Sequence, residues 1–457
     1  MSIEQPKRIA KEYESVDDFN TDTEKVFSGE TTGMYTRYDY KELADREEKF
    51  AEMIGVPDTA IFNSGMAAIH TALEAESLKS GDIVLCSREV YSVTLDSVEG
   101  LKKRGIKVEY FDPSNIEELE KLLEKLKPSL IVAETVANSK EMPVVDIETY
   151  VDLVEKTDQK YKEELTPEVV LDKFFSTTNK VAEVSGSIKE EVVRLIAEFE
   201  SSNNPLIFRD VIRKFESETG LSRREAIELI AKAAKYTHKI SREGLSMIID
   251  NTLPSPVLIN PIEQTKDRDL DLTVVESGTK HYQDGKNEIT MGIVYSQDGD
   301  KMKQIKDLRV QNGAYLQSNS EAAIPENITE IMEGKLKNHA RNALQLAKVL
   351  EGFGITVFHP NLETHKQSEL VQEIAPEGAV TLFYIDIPNR DKFMEELKNI
   401  AGDKIGLGSS FGHSKTWLSN FGVDGKTIRI AVGSDVEEKF EETISIFSQA
   451  VKNSSTK

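Results

Sequence analysis

Short apolar runs alternate with amphipathic stretches along most of this chain. DTAIFNSGMAAIHTALEA reads as a strand ending in Ile61 and Phe62, a turn through Asn63, Ser64 and Gly65, and a strongly helix-forming segment over 66–75. A second buried strand over 83–86 has Tyr91 just past its end and an amphipathic helix after it. KVEYFDPSN is a third strand, closing in Asp112 and Pro113, and IEELEKLLEKL is a surface helix. SLIVAETVANS is a fourth strand with Glu134 and Asn138 in its exit loop. GLSMIIDNTLPSP supplies a buried strand over 247–249 that runs into Asp250, and DLTVVESGTK a further strand that delivers Lys280.

Between these blocks the pattern breaks. Over 157–230 the periodicity is helical with no strand-like run. Ile188, Val192, Leu195, Ile196 and Phe199 share one face, as do Phe208, Val211, Ile212 and Phe215, and Ser222 with Glu225 forms a capping box. Three or four short helices in a small bundle are expected there. After about residue 301 a long helical stretch, LKNHARNALQLAKVLEGFG, precedes strands in AVTLFYIDI and TIRIAVG, and a polar tail is expected after about residue 449. The first 45 residues are polar and weakly periodic. The pattern therefore predicts an arm (1–45), a large α/β domain (46–300) interrupted by a helical insertion (157–230), and a smaller α+β domain (301–457). Strand–helix alternation implies a mostly parallel sheet with helices on its faces.

Composition narrows the function. The chain has 457 residues, 30% of them charged, and a net charge of −23, which opposes binding to nucleic acid or anionic lipid. No apolar run approaches the roughly 18 residues of a membrane span. The polar start lacks the apolar core of an export signal, so a cytoplasmic location is expected. Cys86 is the only cysteine, which excludes an internal disulfide and a one-chain thiolate metal cluster; no metal is expected.

The candidate chemistry centres on VVESGTKHY. A lysine at the mouth of a buried strand is desolvated enough to lose its proton and act as a nucleophile. Strands exit with polar residues at Asn63 and Ser64, Tyr91, Asn138, Asp250 and Lys280. In a parallel sheet those ends line one crevice. A glycine turn opening a helix aims the N–H groups of Gly65 and Met66 at an anion, and Ser277 and Thr279 add hydroxyls. Tyr91 is positioned to stack on a flat ring, Asp250 to pair with a ring nitrogen, and Arg429 to clamp a carboxylate. These parts match the needs of pyridoxal 5′-phosphate, with Lys280 joining its aldehyde and then moving protons at the substrate Cα. Near the start, Tyr35 and Arg37 lie in MYTRYDY, either an anion-binding or interface patch or an arm packed on a neighbouring surface.

The ordered set YTR (35–37), NSGMAAI (63–69), GDIV with VYSVT (81–94), ETVAN (134–138), IIDNTLPSP (248–256), SGTK (277–280) and IRIAVG (428–433) resembles the Cys/Met-metabolism family of fold-type I pyridoxal-phosphate enzymes. That family includes cystathionine γ-synthases, cystathionine lyases and methionine γ-lyases. The resemblance implies γ- or β-elimination or replacement on a sulfur amino acid or O-activated homoserine. It also implies that Tyr35 and Arg37 reach the cofactor phosphate of a neighbouring subunit, hence a homodimer or homotetramer. Asn138 would meet the cofactor's ring hydroxyl, and Tyr91 would stack and assist proton transfer. Departures from the family pattern are Tyr38, Asp39 and Tyr40 after the Tyr-x-Arg, Ser92 and Val93 after the stacking tyrosine, and 283–287 in place of a Gly-Gly-His run. A loop serine is expected to be replaced by Gly406, and the insertion is extra. The other readings are a different fold-type I outcome, an aminotransferase or decarboxylase, and a catalytically lapsed cofactor-binding protein whose insertion docks a partner.

Overall fold

A computed structural model describes residues 13–28, 40–164, 212–213, 216–217, 222–224, 227, 244–268, 270–420 and 425–455. Tyr35 and Arg37 lie outside the described residues, as do Ile188, Val192, Leu195, Ile196, Phe199, Phe208, Val211, Phe215 and Glu225 of the expected bundle. The chain forms two compact units, one of 1–151 with 246–457 and one of 152–245. In the second unit, Asp158 Oδ1 accepts a hydrogen bond from the Leu245 N–H at 2.8 Å and Ile212 is buried.

The first unit is built on two sheets. The larger has seven strands: β1 (Asp58–Phe62), β2 (Ile83–Ser87), β3 (Lys107–Phe111), β4 (Leu130–Glu134), β5 (Ser246–Asp250), β6 (Leu272–Glu276) and β7 (Gly292–Ser296), in the order β1-β7-β6-β5-β4-β2-β3. β7 is antiparallel to both its neighbours, β1 and β6. The remaining pairs are parallel. Two reversals across β7 restore the direction, so β1 runs the same way as β2 to β6 and all six end at one edge. β4, β6 and β7 are buried at every position, as expected for strands covered on both faces. The mostly parallel α/β architecture read from the sequence is the one observed.

The smaller sheet has the order β10-β11-β12-β9-β8, made of β8 (Thr356–Phe358), β9 (Leu382–Asp386), β10 (Gly406–Leu407), β11 (Trp417–Ser419) and β12 (Thr427–Ala431). Its apolar core is joined by the long helix Ile328–Gly352 and the last helix, Glu437–Ser455.

Three features differ from the sequence reading. A helix, Val16–Ser28, forms in the stretch read as weakly periodic; Asp17 and Asp18 in its first turn and Lys25 in its last complement the helix dipole. β7 went unread although GIVYS is wholly apolar but for its last residue. The last helix continues through the expected polar tail, because Ala450 and Val451 belong to the smaller sheet's core and Ser454 is buried as well.

Candidate functional site

The carboxyl edge of the large sheet gathers the candidate residues. Helix Gly65–Ala75 starts directly after β1, and Ser64 caps it by accepting from the Ala67 N–H. The Ala68 N–H goes to the Ser64 carbonyl. The N–H groups of Gly65 and Met66 belong to the first turn, where an α-helix leaves donors facing outward. Gly65 lies so close to Ser277 that a Cβ built on it would sit 2.9 Å from Ser277 Cβ. Ser277 in turn donates its N–H to Thr252 Oγ1 at 2.8 Å, and the Thr252 N–H donates to Asp250 Oδ1 at 2.9 Å. One chain of contacts thus links the phosphate-type cradle to the carboxylate at the end of β5.

Asp250 is opposite Glu134 in the parallel β4–β5 register. Glu134 accepts from the Tyr91 N–H at 2.6 Å and from the Asn138 N–H at 3.3 Å. Burial, and then the Asp250 charge, push the Glu134 carboxyl well above the usual carboxylate range. Burial raises Asp250 too, while its bonds from Thr252 pull the other way. Two carboxyls this close titrate as a unit. Glu134 was legible in the sequence only as a loop residue; its pairing with Asp250 emerges from the register.

Lys280 lies in the short helix Gly278–His281 just after β6. Its Nζ donates to Ser410 Oγ at 3.1 Å and stands 5.3 Å from the centre of the Phe411 ring. Burial first, then the Arg429 charge, lower its pKa below the ordinary lysine value. Arg429, from β12, is buried and donates through Nη2 to the Ser409 carbonyl, to the Ser410 carbonyl at 3.4 Å and to Ser419 Oγ at 3.2 Å. The loop after β10 therefore touches both the amine and the guanidinium. Sequence reading had sought a serine at Gly406. Gly406 instead packs flat on Trp417, and the serines that meet Arg429 and Lys280 follow at Ser409 and Ser410. Their signal is the glycine pattern GLGSSFG: Gly412 adopts φ +83° where any Cβ would collide with the Lys280 carbonyl.

Thr279 is placed differently from Ser277. Its Oγ1 accepts from the Met291 N–H at 3.0 Å and lies 3.4 Å from the Met291 carbonyl, so this hydroxyl fastens the lysine-bearing turn to the loop entering β7. Tyr91 is 52% exposed, with its ring at the surface and its N–H on Glu134. Asn138 Oδ1 and carbonyl oxygen both lie 3.0 Å from the Tyr384 hydroxyl, and Tyr384 is the β9 partner of Arg429.

The donor set suits pyridoxal phosphate. A helix start and a hydroxyl favour a phosphate dianion, a buried carboxyl pair favours a protonated ring nitrogen, and an amine whose pKa burial lowers favours an aldehyde. The glycine at 65 keeps the cradle open, since a Cβ there would fill it. Among the described residues, no cluster of three or more metal-ligating side chains is present and no helix is long and apolar enough to cross a membrane.

Comparison with known proteins agrees on the cofactor. The profile of the family described as Cys/Met metabolism PLP-dependent enzyme matches residues 13–181 and 216–444. The chain is 23% identical over 366 residues to an L-methionine gamma-lyase of Porphyromonas gingivalis, covering 79% of this chain and 68% of that one. It is 27% identical over 192 residues to a cystathionine beta-lyase of Neurospora crassa, covering 42% of this chain and only 39% of the relative. In fold it resembles the crystal structure of cystathionine gamma synthase from Xanthomonas oryzae pv. oryzae in complex with aminoacrylate and cysteine, with a TM-score of 0.65 at 16% identity over 98% of this chain and 92% of that one. A methionine gamma lyase from Micromonospora echinospora gives 0.61 at 17% identity, over 92% and 88%.

Proposed function

The chain belongs to the Cys/Met-metabolism family of pyridoxal-phosphate-dependent enzymes, and on that premise we propose that it eliminates or replaces a γ- or β-substituent of a sulfur amino acid or an O-activated homoserine. The observation that carries this reading is the convergence of Lys280 and Arg429 on one loop, Ser409 and Ser410. It sets a proton-moving amine beside a carboxylate clamp.

In this reading Gly65 and Met66 N–H groups and the Ser277 hydroxyl hold the phosphate, and Asp250, with Glu134 behind it, faces the ring nitrogen. Tyr91 covers the ring and Asn138 meets the ring hydroxyl. Thr279 acts by anchoring the turn. Pyridoxal phosphate supplies, when bound, an aldehyde that condenses with amines and a ring that accepts the electron pair left when a bond to Cα breaks. Lys280 does the proton work. Its depressed pKa leaves the amine neutral for a larger fraction of the time, so Nζ can take a proton from Cα and return it to a leaving group. Ser410 orients that amine through its hydroxyl. Arg429 holds the substrate carboxylate with the face of the guanidinium fixed by the Ser409 and Ser410 carbonyls and Ser419. Tyr91, as the exposed hydroxyl at the crevice, is the second proton carrier.

The same reading includes a homodimer or homotetramer in the cytoplasm. The exposed Tyr91 and Val93 at the crevice support a partner subunit that covers them, with Tyr35 and Arg37 reaching across. The reading also keeps the domain plan expected from the sequence: a large domain of 46–300 interrupted by an insertion over 157–230, and a C-terminal domain of 301–457.

The test is visible absorbance of the purified protein beside Lys280→Ala, followed by addition of cystathionine, methionine and homoserine esters one at a time. A band lost on substitution, with release of thiol or a 2-keto acid from one of these substrates, is the expected result. Amino transfer to a keto acid without such release would replace this reading with the aminotransferase one, and no turnover of any amino acid would leave a lapsed enzyme.

A further inference from the structure

Directly behind the lysine-bearing turn lies a fully buried acid that the reaction does not use. Glu276 ends β6 and is 2% exposed. Its Oε2 accepts from the Tyr282 hydroxyl at 3.0 Å and its Oε1 from the Tyr295 hydroxyl at 2.6 Å. Tyr282 follows the short helix that carries Lys280, and Tyr295 stands on β7. Between them, His281 Nε2 lies 3.3 Å from the Leu253 carbonyl in the segment after Asp250. That segment is tied down in its own right. The Asn251 N–H donates to the Val275 carbonyl at 2.9 Å, the Asn251 amide to the Ile259 carbonyl at 3.0 Å, and Ser255 takes the left-handed conformation at φ +57°. Phe50 closes the cluster, edge-on to Tyr282 at 5.0 Å.

We propose that Glu276 is a positioning residue: clamped by Tyr282 and Tyr295, its carboxyl pins both ends of the Lys280-bearing turn to β6 and β7 and thereby sets where the amine stands relative to Asp250. This rests on the function proposed above. The two turns meet before Lys280 through the Asn251 N–H bond to β6 and the Ser277–Thr252 bond, and just after it through His281 Nε2, 3.3 Å from the Leu253 carbonyl; Glu276 holds the ends of the lysine-bearing turn through Tyr282 and Tyr295.

The clamp also decides where charge sits. The titratable groups facing Glu276 are Tyr282 and Tyr295, which donate to it, and Asp250 on β5, whose charge disfavours a second anion. Burial is the larger cause, and together with Asp250 it raises Glu276 to about 8. Glu276 thus keeps its proton at neutral pH, one carboxyl oxygen then donating to a tyrosine hydroxyl oxygen while the other accepts, and the clamp adds no second negative charge beside Asp250. A raised folded-state pKa means the folded protein binds the proton more tightly than the unfolded chain. Stability from this group is full below the ordinary carboxylate range and is lost as pH rises towards 8.

Three measurements test this on the full chain. The first is thermal melting of the cofactor-free protein from pH 5 to 9 for wild type, Glu276→Gln and Glu276→Ala. The second is affinity for pyridoxal phosphate followed by the visible band. The third is the pH dependence of Lys280 modification by fluorodinitrobenzene, read by peptide mass spectrometry, which needs no cofactor. Wild-type melting is expected to fall with rising pH, and Glu276→Gln to flatten that fall. Glu276→Ala is expected to weaken cofactor affinity by about tenfold, equivalent to roughly 1.4 kcal/mol, and to shift the Lys280 modification profile, with Glu276→Gln restoring most of both. Should Glu276→Ala not fold, Tyr295→Phe takes its place, with the same direction and a smaller effect. Overturning results are a Lys280 profile that does not move in Glu276→Ala or Tyr295→Phe, or a Glu276→Gln variant as damaged as Glu276→Ala. If wild type gives no visible band, the cofactor reading fails, while the melting and modification data still decide the role of Glu276.

Discussion

Gly65→Ala isolates the phosphate cradle. The added Cβ would lie 2.9 Å from Ser277 Cβ, 3.1 Å from Ser277 Cα and 3.3 Å from Ser277 Oγ. Carbon atoms in good contact sit about 3.5–4.0 Å apart, so the helix start and the lysine-bearing turn must separate by about 0.6–1.1 Å. Neither side yields easily. Ser277 is held by Thr252 at 2.8 Å and the next turn by Met291, while Gly65 follows a fully buried strand end. Overpacking of this kind costs about 1–3 kcal/mol. Alanine in a helix regains about 0.5–1 kcal/mol over glycine, so the cofactor-free protein should lose about 0–2.5 kcal/mol.

Cofactor affinity should fall further. The same displacement misaligns hydrogen bonds to a charged phosphate, each worth about 1.5–3 kcal/mol, or roughly 10–100-fold in Kd for one lost bond. Titrating pyridoxal phosphate into the cofactor-free protein while following visible absorbance measures the Kd, and thermal melting measures the stability term. Adding Ser277→Gly to Gly65→Ala removes the clashing Cβ together with the hydroxyl, so melting should recover while affinity does not. A Kd within about twofold of wild type, in a variant that melts normally, would refute the cradle.

Arg429→Lys removes the fork that Ser409, Ser410 and Ser419 orient; KM for the amino-acid substrate should rise on the order of 10–100-fold with a smaller change in kcat, and an unchanged KM in steady-state kinetics would move the carboxylate elsewhere. Glu134→Gln leaves one acid of a pair whose folded-state pKa values both lie above the ordinary range. Stability from such a pair is lost as pH rises, so the variant's melting temperature should depend less on pH above the ordinary carboxylate range than wild type does; an equal slope would show that the two acids do not titrate together. Away from the site, Arg46→Ala leaves Glu321 buried without its 3.0 Å partner, at 7% and 6% side-chain exposure. Urea unfolding should show a loss of about 3–5 kcal/mol, and a loss below about 1 kcal/mol would mean the pair is easily replaced by solvent.

The main sheet was legible because its strands are short apolar runs buried on both faces, each followed by a polar exit residue. β1, β2, β4, β5 and β6 share one direction, so those exits do meet at one edge. What the residues alone could not convey is register and loop geometry. Glu134 reads as a loop residue, and only its place opposite Asp250 makes it half of a pair. Ser409 and Ser410 follow two glycines that flatten β10 against Trp417, a packing no local pattern reveals, so the expected serine was sought at Gly406. Thr279 and Ser277 look equivalent in SGTK, yet one hydroxyl fastens a turn and the other stands beside Gly65. β7 runs against its neighbours, an orientation that five residues of local sequence cannot encode.

The electrostatics of the crevice follow from these placements. Three acids, Glu134, Asp250 and Glu276, end three adjacent parallel strands, and burial raises all of them. Two basic groups, Lys280 and Arg429, meet the loop after β10; burial lowers the pKa of each, and the Arg429 charge lowers that of Lys280 further. Guanidinium keeps its proton under any such pressure because its pKa starts so high, so the amine is the group that yields. The acids are sorted by their partners in the same way. Glu276 meets only hydroxyls and stays neutral; Asp250 has the Thr252 N–H and hydroxyl to favour its charge. A cofactor that brings a cation to Asp250 and an anion to the helix start at Gly65 therefore enters a crevice with partners for both, and the amine of Lys280, its pKa lowered by burial, is the remaining base.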